Sequence, residues 1–233
     1  MDTSISYYSS IGNRNTNEDS VRVTETPNGV LAVIADGLGG MESGELASEI
    51  ALKEFVSNLN LRHFSDKEMF DAAFRANLAV RKCQSENAEM CSTLAALWLQ
   101  KSKALVCYVG DTRIYQIRDG RIVYQSVDHS VSQLAVLMGE ITPSEIRNHK
   151  DRNKLVRAVG ADIDIKPQIG SLRVKAEDAF LICSDGFWEK IIETDIIELR
   201  GINIDANKWL SDMREKITDL VDDNNSAVAI IVK

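Results

Sequence analysis

Short apolar runs separated by turn residues open the chain, and two helical stripes follow them. Residues 5–9, 21–24 and 29–35 have the length and β-branched content of strands. From Ser43 onward, Leu46, Ala47, Ile50, Ala51 and Phe55 recur at helical spacing. A second stripe, Met69, Ala73, Ala76, Val80 and Cys83, follows Ser65-Asp66-Lys67-Glu68, which reads as a capping box. A meander is predicted next over 93–100, 104–109, 114–118 and 121–125. Arg118-Asp119-Gly120-Arg121 supplies the hairpin turn between its last two runs. The polar stretch 128–153 carries one helix-like piece at 131–138. Strands at 165–174 and 179–183 follow. A helix over 205–221 then turns Trp209, Leu210, Met213, Ile217 and Leu220 inward, before a last strand at 227–232. Strands, paired helices, strands and a late helix predict an α+β sandwich. No repeat, linker or low-complexity tract divides it, so residues 1–233 read as a single domain.

Composition agrees with that reading and removes several functions. With 44% hydrophobic and 27% charged residues, 233 residues can bury a full core. No apolar run reaches the roughly 20 residues of a membrane span. Met1-Asp2-Thr3-Ser4 lacks the basic-then-apolar start of a secretory leader, so a cytoplasmic setting is expected. A net charge of −8 disfavours nucleic acid and anionic membrane as partners. Three histidines in the whole chain make His-cluster chemistry an unfavourable reading. Cys83, Cys91, Cys107 and Cys183 lack paired metal spacing and read as small buried hydrophobes in a reducing compartment.

Candidate chemistry lies in six acids at the ends of apolar runs, each beside Gly, Asn or another acid: Glu18, Asp19, Asp36, Asp111, Asp185 and Asp223. Singly, each also reads as an ordinary turn residue, because Asp-Gly and Asp-Asn favour turns. Carboxylates past buried strands can converge at a sheet edge, where they repel unless cations lie between them. Oxygen-only ligands select hard ions such as Mg²⁺ or Mn²⁺.

The order of motifs is more specific than any one of them. Arg14-x-x-x-Glu18-Asp19 is followed by Asp36-Gly37-x-Gly39-Gly40, Gly110-Asp111-Thr112-Arg113, Ser184-Asp185-Gly186-x-Trp188-Glu189 and Asp223-Asn224-x-Ser226. This series resembles the metal-dependent (type 2C, PPM) serine/threonine protein phosphatases of bacterial type, from about Gly12 to Val232. The resemblance implies two packed antiparallel sheets flanked by helices on both outer faces, with 128–153 as a flap beside the active site. It also implies hydrolysis of phosphoserine and phosphothreonine by a metal-activated bridging water at a binuclear Mn²⁺ or Mg²⁺ centre. Asp36 would bridge both ions, helped by the Gly37 carbonyl. Asp185 and Asp223 would complete one ion and Glu18 the other, while Asp19 would orient a coordinated water. Asp111 with Asp185 resembles the holder of a third, weaker ion. Arg14 resembles the phosphate-binding arginine, whose guanidinium can fork two oxygens. Arg113 reads as half of a structural ion pair.

One departure stands out. Family members often carry His after the Asp-Gly or after the Gly-Gly, and here these positions are Leu38 and Met41. His63, His129 and His149 lie outside the metal motifs. His129 is the one placed to approach the cleft, although a loop or capping role is the plainer reading. The implied partners are a phosphorylated protein and the serine/threonine kinase it opposes, with the enzyme acting as a monomer. The rival reading is a catalytically weak adaptor that binds a phosphoprotein or kinase.

Overall fold

The computed structural model describes residues 2–26, 29–39, 43–84 and 90–233. Strands β1 (Thr3–Ser10), β2 (Asp19–Thr26) and β3 (Gly29–Leu38) precede helices α1 (Ser43–Asn58) and α2 (Asp66–Cys83). The short β4 (Cys91–Ser92) then leads into the meander β5 (Leu94–Gln100), β6 (Lys103–Val109), β7 (Arg113–Arg118) and β8 (Arg121–Gln125). After α3 (Val131–Leu137) come β9 (Gln168–Arg173), β10 (Ala179–Cys183), the single turn α4 (Asp185–Trp188), α5 (Glu193–Ile202), α6 (Ala206–Ile217) and β11 (Asn225–Val232).

Among the described residues these strands form two sheets, ordered β1-β11-β10-β7-β8 and β2-β3-β5-β6-β9, with β4 paired to β3. The pairings are antiparallel. Antiparallel strands often alternate apolar and polar residues, but both faces of the central strands are covered here, so their runs are continuously apolar. Val30, Ala32 and Ile34 of β3 pack between the sheets against Phe180, Ile182, Val228 and Ile230. Leu31, Val33 and Ala35 face the other way, onto Ala47, Phe55 and Met69 of α1 and α2. On the opposite side Leu181, Ala227 and Ala229 meet Trp209, Leu210 and Met213 of α6. The order is therefore helices, sheet, sheet, helices, as the sequence predicts.

Local signals explain most boundaries. The Ser65 hydroxyl accepts from the Glu68 amide and starts α2, and Asp205 accepts from Asn207 and Lys208 and starts α6. Asp119 and Gly120 take positive φ of 51° and 68°, giving the hairpin turn between β7 and β8. Several expectations are corrected. The short α4 and α5 were not anticipated. Leu46 is 47% exposed and Leu220 is 55% exposed in a 3₁₀ turn, so neither joins the core. Cys107 and Cys183 are buried, but Cys83 is exposed and Cys91 half-buried. Strands β2 and β3 run further than predicted, so Asp19 and Asp36 lie inside them as register partners rather than past their ends.

Candidate active site

Five acids from five separate stretches of chain line one cavity of about 150 Å³: Glu18, Asp36, Asp111, Asp185 and Asp223. Arg14 is the only cation among its described lining residues. Each acid arrives by a different route. Asp36 comes on β3, Asp111 in the loop between β6 and β7, Asp185 on the first residue of α4, and Asp223 just before β11. Glu18 sits at the end of the loop entering β2, which Asn224 holds from three sides. Its Nδ2 donates to the carbonyls of Ile11 and Thr16, and its Oδ1 accepts from the Glu18 amide at 2.8 Å.

The close approach of β3 to α1 needs two glycines. A Cβ on Gly37 would lie 1.9 Å from the Gly44 carbonyl oxygen, and one on Gly44 would lie 2.3 Å from Glu18 Oε1. Gly44 therefore admits the Glu18 carboxylate to the end of α1, and its amide hydrogen-bonds that carboxylate. Glycine near the start of a helix is otherwise costly, and that was the signal available in the sequence for this contact. Position 41, one of the two expected histidine positions, lies outside the described residues, as does Gly40.

Crowded like charges dominate the electrostatics. Burial, with the charges of Asp19, Asp185 and Asp111, holds the Asp36 carboxyl well above the usual range. Asp111 is likewise pushed well up by burial and by Asp185 and Asp128. Asp185 is raised by burial and by Asp223, and Glu18 by burial. Asp19 is pushed up to about 7, chiefly by burial, against the nearby Ser226 and Ser184 hydroxyls, which favour its charge. The Ser184 hydroxyl donates to Asp19 Oδ2 at 2.8 Å, whereas the buried Oδ1 has no hydrogen-bond partner among the described residues. Arg14 donates to Asp223 Oδ2 at 2.6 Å while remaining largely exposed.

As they stand, no three of the acidic, His or Cys side chains among the described residues close on one point tightly enough to cage an ion. Even so, the donor set suits hard divalent cations. It is all oxygen and carries far more negative than positive charge, while Asp19 stands outside the lining as the register partner of Asp36.

Residues beside the cavity take structural parts. Arg113 is the buried ion-pair half expected of it: Nη2 lies 2.7 Å from Asp128 Oδ2, and its guanidinium stacks 3.5 Å from the Trp188 ring. Trp188 Nε1 in turn donates to the Asp111 carbonyl at 3.0 Å. The stretch 128–153 is latched to the α4 region by Arg147, which donates to the Trp188 and Ile191 carbonyls, and by Arg152, which donates to Glu189. His129 does not face the acids. Its ring stacks on Tyr108, its Nδ1 accepts from the Gly110 amide at 3.2 Å, and burial lowers its pKa to about 4. It is a neutral clamp on the loop that carries Asp111, which is the plainer of the two readings above. Larger hollows of about 370 and 380 Å³ lie elsewhere. The first balances Asp162 and Asp164 with Arg157 and Lys166, and the second is mainly apolar around Leu134 and Leu137, so neither offers the converging acids.

Comparison with known proteins points the same way. Residues 8–221 match the sequence profile of the protein phosphatase 2C family. A putative protein phosphatase 2C-type from Streptococcus pyogenes is 27% identical over 86% of this chain and 85% of its own length. The crystal structure of the PPM Ser-Thr phosphatase MsPP from Mycobacterium smegmatis, in complex with cacodylate, superposes with a TM-score of 0.87. It is 30% identical, and the match covers 99% of this chain and 98% of that one. The catalytic domain of the serine/threonine phosphatase PstP, crystallised with two manganese ions, has a TM-score of 0.84 at 25% identity, with full coverage of both chains.

Proposed function

Because the chain belongs to the protein phosphatase 2C family, we propose that its acidic cavity is the binuclear centre of a serine/threonine phosphoprotein phosphatase. The observation that carries this reading is the meeting of Glu18, Asp36, Asp111, Asp185 and Asp223 around one small cavity with Arg14 at its side. Bound Mn²⁺ or Mg²⁺ ions supply a nucleophile from water at neutral pH and positive charge for the phosphoryl oxygens. Asp36 is assigned to both ions with the Gly37 carbonyl, Asp185 and Asp223 to one, and Glu18 to the other. The relative that binds two manganese ions supports that number. Asp111 and Asp185 are assigned to a third, weaker ion. Asp19, whose Oδ1 has no hydrogen-bond partner among the described residues, orients water beside the ions.

The chain's own groups supply recognition and exclude some chemistry. Arg14 is exposed enough to swing between Asp223 and a phosphate, and its fork suits two phosphoryl oxygens. Leu38 lines the cavity where relatives often have histidine, and it cannot move a proton. His129 is turned away and already holds Gly110. Protonation of the leaving alkoxide therefore falls to solvent within the cavity. In this reading the substrates are phosphoserine and phosphothreonine left on proteins by a bacterial kinase, and the enzyme works as a cytoplasmic monomer. Among the described residues no helix is long and apolar enough to cross a membrane. The full complement of acids disfavours the adaptor reading.

The test compares two acids in steady-state hydrolysis of p-nitrophenyl phosphate with saturating Mn²⁺. Asp36→Asn should lower kcat by at least about 10²-fold with the fold intact, while Asp119→Asn, in the β7–β8 turn, should change it little. Near-wild-type kcat in Asp36→Asn would remove Asp36 from the centre.

A further inference from the structure

Asp36 lies at a break in the β-ladder, and a side chain closes that break. On one side Ile34 pairs with Ala95 in β5, and on the other Gly37 pairs with Ser92 in β4. Asp36 and Thr93 fall opposite each other between them. The Thr93 amide donates to the Asp36 carbonyl at 2.8 Å, as a ladder would require. The return bond is different. The Asp36 amide donates to the Thr93 hydroxyl at 2.9 Å, taking a side-chain oxygen instead of a main-chain carbonyl. The Ser92 hydroxyl spans the same gap, its one hydrogen lying between the Thr93 carbonyl at 2.8 Å and the Asp36 carbonyl at 3.0 Å.

This arrangement ties the Thr93 hydroxyl to two segments at once. A hydroxyl carries one donor and two acceptor sites. Thr93 Oγ1 accepts from the Asp36 amide and also hydrogen-bonds Thr112 Oγ1, only 2.6 Å away, with either hydroxyl able to donate. Thr112 follows Asp111 directly. Both threonines are almost fully buried, at 1% and 2% exposed, so water cannot replace either partner. Thr93 also abuts Gly110: a Cβ there would lie 2.7 Å from Thr93 Cβ, and Gly110 takes φ +105°. The loop bearing Asp111 is thus held against Thr93 on one side and by His129 and Trp188 on the others.

We infer that Thr93 is a positioning residue for the acidic centre, its hydroxyl relaying a hydrogen bond from the Asp36 main chain to Thr112 and so fixing the two acid-bearing segments relative to each other. Thr93 is buried and does not line the acidic cavity. It acts through the main chain of Asp36, the residue assigned to both ions, and through the loop of Asp111. The inference rests on the proposed phosphatase reading.

The test measures direct Mn²⁺ binding by electron paramagnetic resonance, together with kcat and KM for p-nitrophenyl phosphate, on wild type, Thr93→Val, Thr93→Ser and Thr112→Val. Melting and circular dichroism verify the fold of each. Valine keeps the shape of threonine and deletes the hydroxyl. Thr93→Val should weaken Mn²⁺ binding and lower kcat by roughly 10–100-fold, the usual cost of removing an outer partner of a metal site. Its KM should stay within about twofold, because Arg14 is untouched. Thr93→Ser, which restores the oxygen, should recover both quantities, and Thr112→Val should show a smaller loss of the same kind. A folded Thr93→Val with wild-type Mn²⁺ affinity and kcat, or a Thr93→Ser no better than Thr93→Val, would overturn the relay. If Thr93→Val does not fold, Thr112→Val decides, and wild-type Mn²⁺ affinity and kcat there would overturn it equally. Absence of Mn²⁺ binding by the wild type would instead sink the phosphatase reading itself.

Discussion

Asp36 and Asp185 line one cavity from different sheets, one on β3 and the other after β10, and the charge of Asp185 helps to raise the Asp36 carboxyl. Buried carboxylates this close repel one another unless a proton or a cation lies between them. The cavity is therefore strained by charge, and two consequences can be measured.

The first is stability in chelator. Asp19 titrates near 7 in the fold, against about 3.9 in an unfolded chain. A carboxyl raised in this way contributes its full stabilisation below about pH 4 and loses it as pH rises through about 7. Asp36, Asp111 and Asp185 shift in the same direction. In EDTA the melting temperature should therefore fall between pH 5 and pH 8. Asp36→Asn should melt a few degrees above wild type at pH 8, since roughly 2–4 °C accompanies each kcal/mol in a chain of this size. Mn²⁺ should reverse that order. A flat profile in EDTA would mean that the acids do not repel as described.

The second concerns Arg14, whose Nη2 rests on Asp223 at 2.6 Å. If the guanidinium holds phosphate in both ground and transition states, Arg14→Ala should raise KM by about 10–100-fold, the worth of a charge-assisted hydrogen bond. The loss of kcat should be smaller. Asp223 is released by the same change, so Mn²⁺ affinity should not weaken. A large fall in kcat at constant KM would give Arg14 a role confined to the transition state.

Leaving-group chemistry follows from Leu38 and from the orientation of His129. With no histidine facing the described part of the cavity, departure of the oxygen should depend on its own acidity. Rates over a series of aryl phosphates should climb as leaving-group pKa falls, and Leu38→His should flatten the slope if its ring reaches that oxygen. A flat slope in the wild type, with chemistry rate-limiting, would reveal an acid that the account has not placed.

Much of this architecture is legible in the sequence because its signals are local. Runs such as Val30 to Ala35 must be covered on both faces, and Ser65 and Asp119-Gly120 mark their cap and turn directly. The acids are legible through the order of their motifs. What holds them is not, because it depends on contacts between distant parts of the chain. Asn224 grips the loop of Glu18 from 206 positions away, and Gly44 matters only because Gly37 and Glu18 press on it. Thr93 looks like the start of an ordinary strand until its hydroxyl is found in the ladder beside Asp36. Helix α5 escaped notice because only Ile196 among its residues is buried, so its apolar stripe is too thin to read.

Hydrolysis of phosphoprotein esters by this chain should depend on divalent ions held by the converging acids. The most direct test is phosphate release from a phosphothreonine peptide by the purified chain, measured in EDTA and again after Mn²⁺ is restored. The account predicts no turnover in chelator and full recovery with Mn²⁺. Undiminished turnover in EDTA, or no turnover on any phosphopeptide with Mn²⁺ bound, would contradict it.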